Sequence, residues 1–222
     1  YMRFADKAAM LDKVLGFRDR LTDEAERYLT LNPMSEAHEV VMELTTEAIV
    51  CALYKPIVAV FNKEYAQEDQ AANQKIALYS SSVTPAEIGM DPKLWLVDES
   101  EMNNAGDAAA RAYKSVFDIL RTINRSESPF EKIRCVLNAM QEINARVQCF
   151  FNARGQTKPV ALSADDLTSI VLYCMVKSGL KNVASEAHMM EDFMMPSMER
   201  NQDGYSVTTF CCCAAAIQEL VI

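Results

Sequence analysis

The prolines of this chain stand where helices begin. Ser128-Pro129-Phe130-Glu131 and Thr84-Pro85-Ala86-Glu87 each combine a capping side chain, a proline at the first helical position and a capping-box glutamate. Asn32-Pro33 and Asp91-Pro92 repeat the cap and the proline. Since four of the seven prolines start helices, and no segment sustains the period-two alternation of a half-buried strand, the sequence predicts an all-α fold.

Apolar residues at helical spacing predict a bundle of eight to nine helices. The expected helices cover about residues 2–30, 33–66, 67–79, 92–97, 106–124, 129–153, 163–178, 182–195 and 208–220. Pro56 is expected to kink or split the second of them, because proline lacks the N–H of the helical hydrogen bond. Polar residues with glycine or proline predict loops at 98–106 and 154–162.

The charge of the chain argues against two classes of partner. Lys and Arg total 22 against 31 Asp and Glu, which leaves a net charge of −9, and no basic run occurs. Because an acidic surface repels phosphate backbones and anionic lipids, neither nucleic-acid binding nor direct membrane insertion is expected. No run of residues approaches the roughly 18 to 20 uninterrupted apolar residues of a membrane span.

The cysteines and the N-terminal residues predict in which cellular compartment the protein resides. The seven cysteines are odd in number, and we expect reduced, mostly buried thiols in a cytosolic protein. Charged residues interrupt any apolar core near the N-terminus, so no signal peptide is expected. The chain does not begin with methionine, and we expect it to be a segment of a longer protein.

The sequence contains few of the residue patterns that enzymes use for catalysis. The two histidines, His38 and His188, lack a recognisable nucleophile or metal-ligand spacing, and there is no phosphate-binding glycine loop, CxxC pair or HExxH motif. No cofactor and no metal are therefore expected, and the chain is expected to act by binding. A hydrolase that uses Asp165 and Asp166 is the weakest alternative, because no matching ligand set occurs elsewhere.

The segment 163–179 is the most informative part of the chain. Its apolar residues fall at helical spacing, Ser163 and Asp166 form a capping pair, and Gly179 closes the helix. Two carboxylates in a first turn favour the positive end of the helix dipole, so Asp165 and Asp166 have a purely structural explanation. A role in binding a partner is the alternative.

Two further groups of side chains are ambiguous in the same way. Five methionines crowd the segment 189–198, where they can fill the core or form an adaptable apolar wall of a groove. The carboxylates of Glu64, Glu68 and Asp69 are expected to form a solvated helix face.

An ordered series of short motifs resembles the vacuolar protein sorting 9 domain. It comprises Ser163-Ala164-Asp165-Asp166-Leu167, then Lys181-Asn182-Val183, then Asp203-Gly204-Tyr205-Ser206-Val207-Thr208-Thr209 before an alanine-rich helix. Upstream, Ser128-Pro129-Phe130-Glu131-Lys132 and Tyr54-Lys55-Pro56 continue the resemblance. It implies a layered helical fold in which residues 45–222 form the exchange domain and residues 1–44 a helical flank.

This resemblance also implies a function. Members of the family are guanine-nucleotide exchange factors for Rab GTPases of the early endosomal branch, which act in endocytic membrane traffic. The family's characteristic aspartate carries over to Asp165, its tyrosine to Tyr205 and the threonine of the Gly-Tyr-x-x-Thr turn to Thr208. Asp165 would displace GDP by competing for the P-loop lysine and the Mg²⁺ site of the GTPase. The location implied is the cytoplasm, with recruitment to endosomal membranes.

The resemblance leaves a choice open. GTPase contacts are expected from Asp166, Ser169, Lys177, Asn182, Met189 and Thr208. The family usually has proline where this chain has Ser169 and often an aromatic residue where it has Ser206. These departures keep a second hypothesis open, a helical adaptor that binds a Rab GTPase without promoting exchange. The oligomeric state does not follow from the sequence.

Overall fold

The computed structural model describes residues 6–29 and 36–221, and these residues form helices and their connections. The α-helices are α1 (Lys7–Leu29), α2 (Glu36–Glu64), α3 (Ala66–Tyr79), α4 (Ala105–Ala112), α5 (Lys114–Leu120), α6 (Pro129–Asn152), α7 (Ala164–Ser178), α8 (Val183–Asp192), α9 (Pro196–Glu199) and α10 (Gln202–Gln218). The 3-10 helices are η1 (Pro92–Trp95), η2 (Glu99–Asn104) and η3 (Ile123–Arg125). No strand occurs in the described residues, so the all-α prediction is confirmed.

Two of the predicted proline starts are confirmed. Ser128 Oγ accepts a hydrogen bond from the Glu131 N–H at 3.4 Å, and Pro129 opens α6. Asp91 accepts a hydrogen bond from the Lys93 N–H at 2.9 Å and caps η1. In both places the cap satisfies an N–H group that the helix itself leaves without a partner.

The prediction of a helix start at Thr84 is wrong. Thr84 and Glu87 exchange the hydrogen bonds of a capping box, but only a turn follows them. The turn ends because Gly89 adopts a left-handed φ of 77°, which a helix cannot continue. The fourth predicted start, at Asn32 and Pro33, lies outside the described residues.

Several predicted boundaries are corrected by the structure. The segment 106–124 is divided into α4, α5 and η3, because Tyr113 leaves the helical conformation between α4 and α5. The loop predicted at 98–106 contains η2 and the start of α4, and the segment 182–195 contains α8, whose last residue is Asp192. The loop predicted at 154–162 is confirmed, and α2 is not split at Pro56.

The core of the bundle has two parts. The larger cluster contains residues of α3, α5, α6, α7, α8 and α10, among them Tyr173 and Phe210. The smaller cluster joins α1, α2 and α8 around Phe61, Met189 and Phe193. Because α8 contributes to both clusters, it connects the N-terminal helix pair to the rest of the bundle. The boundary predicted at residue 44 falls inside α2, and the division into 1–44 and 45–222 stays a prediction.

The prediction that Asp69 lies on a solvated face is wrong. Asp69 is 4% exposed, and its carboxylate accepts hydrogen bonds from the N–H groups of Ala184 and Ser185 at 2.9 and 3.2 Å and from the Ser185 hydroxyl at 2.5 Å. These are N–H groups of the first turn of α8, so a side chain of α3 caps a helix more than a hundred residues away in the chain. Sequence spacing carries no signal for such a cap.

Helix α2 is unusually apolar on its outer side. Between His38 and Glu64 it is long and apolar enough to cross a membrane by length and composition, although core helices of folded domains pass the same criteria. Only 28% of its most apolar window is buried. This part of the chain therefore presents apolar side chains to its surroundings.

The cysteines are free, and most of them are not buried. Cys174 and Cys213 are buried, whereas Cys51, Cys149 and Cys212 are exposed, so the prediction of mostly buried thiols is wrong. Burial raises the pKa of the Cys213 thiol to about 12 and suppresses its thiolate. Successive residues of α10 face different sides of the helix, which explains why Cys212 is exposed beside buried Cys213.

Candidate functional site

The two aspartates in the first turn of α7 differ in their hydrogen bonds. Ser163 Oγ accepts a hydrogen bond from the Asp166 N–H, and Asp166 Oδ2 accepts one from the Ser163 N–H, both at 3.1 Å. Asp166 is thus occupied in a capping box. Asp165 is exposed and makes no hydrogen bond or ion pair with any described residue. Its carboxylate is held on a rigid helix and is free to meet a partner.

The neighbouring turn of α7 carries the departure from the family pattern. Ser169 is half-buried and its hydroxyl donates to the Asp166 carbonyl at 2.9 Å. Residues four apart share one side of a helix, so Ser169 lies on the same side as Asp165. A serine at this position keeps a polar group beside the aspartate where proline would present a ring.

The motif Gly-Tyr-x-x-Thr is helical, which corrects the prediction of a turn. Asn201 Oδ1 caps α10 by accepting the Asp203 N–H at 2.7 Å, so the helix begins at Gln202 and not near residue 208. Tyr205 is 49% exposed. Thr208 is exposed one turn later, on the side of α10 that carries Tyr205. Thr208 therefore belongs to a helix face and does not set a turn.

Gly204 allows the start of α10 to pack closely against α9. It is buried, and a Cβ atom added there would lie 2.3 Å from the carbonyl oxygen of Glu199 and 2.6 Å from its carbonyl carbon. Real Cβ atoms do not approach backbone so closely, so any other residue would push the first turn of α10 outward. Because Tyr205 is the next residue, Gly204 fixes where that ring stands.

Replacing Gly204 by alanine is therefore expected to destabilise the chain by about 1–3 kcal/mol, the usual cost of overpacking. It should also lower any activity that depends on Tyr205. Urea denaturation measures the first effect. Gly106→Ala is the matched control, because its Cβ would meet only Thr84 Cγ2 at 3.5 Å, an ordinary contact. Equal stability of the two variants would contradict this account of Gly204.

A groove of about 330 Å³ lies between α6 and the first turns of α7 and α10. We call it the α6–α10 groove, and its walls are formed by Leu137, Met140, Gln141, Asn144, Leu167, Gln202, Tyr205 and Ser206. Leu167 and Tyr205 both line the groove, so the start of α7 lies beside Tyr205. The Cys213 Sγ contact to the Thr168 carbonyl at 3.5 Å holds α10 against α7 further along.

Carboxylates occur in the first turns of the two helices that contribute Leu167 and Tyr205 to this groove. Asp165, Asp166 and Asp203 occupy the first turns of α7 and α10. The pKa of the Lys93 ammonium group in η1 is raised, mainly by its hydrogen bond to Asp91. The negative charge of Asp166 makes a smaller contribution in the same direction. A site with this charge favours a cationic group of a partner.

Three of the predicted contact residues lie elsewhere. Lys177 is at the opposite end of α7, where its ammonium donates to the Ser81 carbonyl at 3.1 Å and burial lowers its pKa. Asn182 begins α8 in a left-handed conformation and exchanges two hydrogen bonds with Asn73. Met189 is 1% exposed in the smaller core cluster. None of the three lines the α6–α10 groove, and contacts from them to a GTPase stay a prediction.

The α6 wall of the groove was not among the predicted contacts. Leu137, Gln141 and Asn144 follow each other at spacings of four and three residues and form one outward stripe of α6. The signal in the sequence is weak, because a leucine and two amides on a helix are usually unremarkable surface. Only the packing of α10 beside α6 gives the stripe a partner wall.

Comparison with known proteins identifies the helices around this groove. The family model of the vacuolar sorting protein 9 (VPS9) domain matches residues 113–221, which includes all residues of the α6–α10 groove. The Rab5 GDP/GTP exchange factor of Bos taurus is 26% identical over 206 residues, which cover 91% of this chain and 38% of that protein. Alsin of Mus musculus is 25% identical over 138 residues, which cover 59% of this chain and 8% of alsin.

Protein sprint of Drosophila melanogaster is a further relative, 22% identical over 198 residues that cover 89% of this chain and 10% of sprint. The chain thus spans less than two fifths of the length of each of these relatives. Residues 6–112, apart from the gap at 30–35, add the flanking helices α1 to α4 on the N-terminal side of the match. Through residues 113–221, the chain belongs to the VPS9 domain family.

Proposed function

We propose that this chain is a guanine-nucleotide exchange domain for a Rab GTPase of the early endosomal branch. The observation that carries the proposal is the exposed Asp165, which has no partner among the described residues and lies in the first turn of α7, the helix whose Leu167 lines the groove of half-exposed Tyr205. The Rab5 GDP/GTP exchange factors, which align with about nine tenths of the chain, support the choice of GTPase class. We further propose that the protein is cytoplasmic and is recruited to endosomal membranes.

The proposed mechanism is displacement, with no bond made or broken in this chain. The GTPase holds the phosphates of GDP with its P-loop lysine and with backbone N–H groups, and it holds Mg²⁺ through oxygen ligands. The Asp165 carboxylate offers that lysine a second anion, and its negative charge competes with the phosphates. The Tyr205 ring and the α6 stripe of Leu137, Gln141 and Asn144 hold the displaced switch segment in the groove.

The thermodynamics sets a condition on this mechanism. An exchange factor promotes release only if it binds the nucleotide-free GTPase more tightly than the GDP-loaded form, because equal affinity shifts no equilibrium. By reciprocity, the factor by which this chain weakens GDP binding equals the factor by which GDP weakens binding of this chain. The Asp165 carboxylate supplies such a difference, since the P-loop lysine is available only after the phosphates leave.

The proposal is tested by release of a fluorescent GDP analogue from a panel of Rab GTPases. We expect acceleration for early endosomal members at micromolar concentrations of this chain and none for Rab proteins of other compartments. Tight binding to a Rab without acceleration would identify the chain as an adaptor. Ser169 is the feature that would account for that result. The absence of both binding and acceleration across the panel would overturn the proposal.

A further inference from the structure

The loop that joins α6 to α7 leads into the turn that carries Asp165. Residues 153–155 form a turn after α6, in which Gly155 adopts a left-handed φ of 83°. Residues 157–162 then lead, without helix or strand, to Ser163, the cap of α7. A segment of this kind has no regular hydrogen bonds within itself, so its position depends on its contacts with the rest of the protein.

One hydrogen bond connects the end of this loop to α6. Gln148 Oε1 accepts the Val160 N–H at 2.9 Å. Among the described residues, this is the only hydrogen bond that residues 157–162 make. The preceding Pro159 has no N–H to donate. The side chains of Val160 and Leu162 are half-buried and pack against the larger core cluster.

Gln148 extends the α6 stripe beyond the groove. It follows Asn144 by four residues, so it lies on the side of α6 that faces the α6–α10 groove. Gln148 does not itself line the groove. Its Nε2 donates to Asn152 Oδ1 at 2.6 Å, which orients the amide and leaves Oε1 for the loop. This one side chain therefore connects the helix that forms a wall of the groove to the loop before Asp165.

We propose that Gln148 is a positioning residue for Asp165 in nucleotide exchange, an inference that rests on the proposed function. By accepting the Val160 N–H, Gln148 holds the loop three residues before the cap of α7. Three residues span at most about 11 Å, so this hydrogen bond restricts where Ser163 and the first turn can lie. The core does not hold that turn directly, because Leu167 is the first buried residue of α7.

The other polar contacts near the loop do not have this effect. Ser163 and Asp166 exchange hydrogen bonds with each other, which shapes the first turn but does not connect it to α6. Arg154 pairs with Asp98, but it lies at the opposite end of the loop, nine residues before the cap. Among the described residues, the Gln148 hydrogen bond is thus the polar contact that relates the end of the loop to α6.

Loss of this hydrogen bond is expected to displace Asp165 and to leave GTPase docking intact. A misplacement of about 1 Å at a reacting group costs about a hundredfold in rate. Since Val160 and Leu162 still pack against the core, we expect a smaller loss for Gln148→Met, about tenfold in the maximal rate of GDP release. The concentration of this chain that gives half of that rate should change by less than about twofold, because Gln148 does not line the groove.

Stopped-flow release of the fluorescent GDP analogue from an early endosomal Rab tests this inference. Methionine keeps the size of Gln148 without its acceptor, whereas Gln148→Glu keeps an oxygen for the Val160 N–H and should retain the wild-type rate. Gln74→Met is the control, because Gln74 is exposed on α3 and makes no hydrogen bond with any described residue. If Gln148 acts through Asp165, Gln148→Met should cause no further loss in an Asp165→Asn chain.

Hydrogen–deuterium exchange adds a measurement that needs no GTPase. The Val160 amide should exchange faster in Gln148→Met than in the wild type or in Gln148→Glu, and unchanged exchange would overturn the inference. A full release rate of Gln148→Met, on a Rab that the wild type accelerates, would also overturn it and leave the proposed function intact. An equal loss in Gln148→Met and Gln148→Glu would do the same. If the wild type accelerates no Rab, the proposed function fails and this inference fails with it.

Discussion

Replacing Asp165 by asparagine is expected to slow catalysed GDP release by about a hundredfold. The carboxylate would meet the P-loop lysine in a partly desolvated interface, and loss of one member of such a pair costs roughly 2–5 kcal/mol. Since about 1.4 kcal/mol corresponds to a factor of ten, the lower part of that range already gives the expected loss. Asparagine keeps the shape of the side chain, so the loss reports the charge. Stopped-flow fluorescence of the GDP analogue measures the rate.

Two control variants separate this effect from general acidity and from folding. Asp107 is an exposed acidic residue in the first turn of α4, and it lies near Lys177 at the far end of α7. Asp107→Asn removes the same charge and should leave the release rate unchanged. Asp166→Asn weakens the capping box and should reduce stability by about 1 kcal/mol. Full activity of Asp165→Asn would remove Asp165 from the mechanism.

Replacing Lys132 by alanine is expected to destabilise the chain by about 3–5 kcal/mol. Lys132 is fully buried, and its ammonium donates to the Ile123 carbonyl and lies 2.8 Å from Glu186 Oε2. Loss of the lysine leaves a buried carboxylate without its cation, which is one of the costliest single changes in a core. The same ion pair joins α6 to α8, so its loss loosens the layer behind the α6–α10 groove. Urea denaturation gives the change in the free energy of unfolding.

A second substitution distinguishes the charge from the packing. Glu186→Gln in the Lys132→Met background removes both charges at similar volume and should recover most of the lost stability. Burial already raises the pKa of the Glu186 carboxyl in the wild type. An acid whose pKa is higher in the folded state contributes stability that is present at low pH and lost as the pH rises through that pKa. The defect of Lys132→Ala should therefore shrink as the pH falls from 7 towards 5, and a defect that is constant with pH would contradict this explanation.

The sequence predicts the elements of this fold better than their junctions. Local signals, such as the cap at Ser128 and the capping box of Ser163 with Asp166, correspond to helix starts because cap and N–H group are close in the chain. The same signal fails at Thr84, where a left-handed Gly89 ends the turn. Asp69 caps α8 from another helix, and no local pattern reports a contact over such a separation.

In the candidate site, too, the sequence predicts what local signals determine and misses what depends on the packing of distant helices. Asp165 and Tyr205 come from motifs, and the helix starts that position them follow from local caps at Ser163 and Asn201. Which other residues share the groove of Tyr205 depends on how α6, α7 and α10 pack. For this reason Lys177, Asn182 and Met189, which lie near the motifs in the sequence, are held at other surfaces or in the core. Only the packed structure reveals the α6 wall.

The central claim is that this chain prefers a Rab GTPase without nucleotide. The most direct test compares its affinity for one early endosomal Rab in two states, nucleotide-free and loaded with GDP and Mg²⁺, by biolayer interferometry. We predict that the nucleotide-free form binds at least about a thousandfold more tightly, a preference of about 4 kcal/mol. Asp165→Asn and Tyr205→Ala should each reduce that ratio. Equal affinity of the wild type for both states would contradict exchange activity and leave a Rab-binding adaptor.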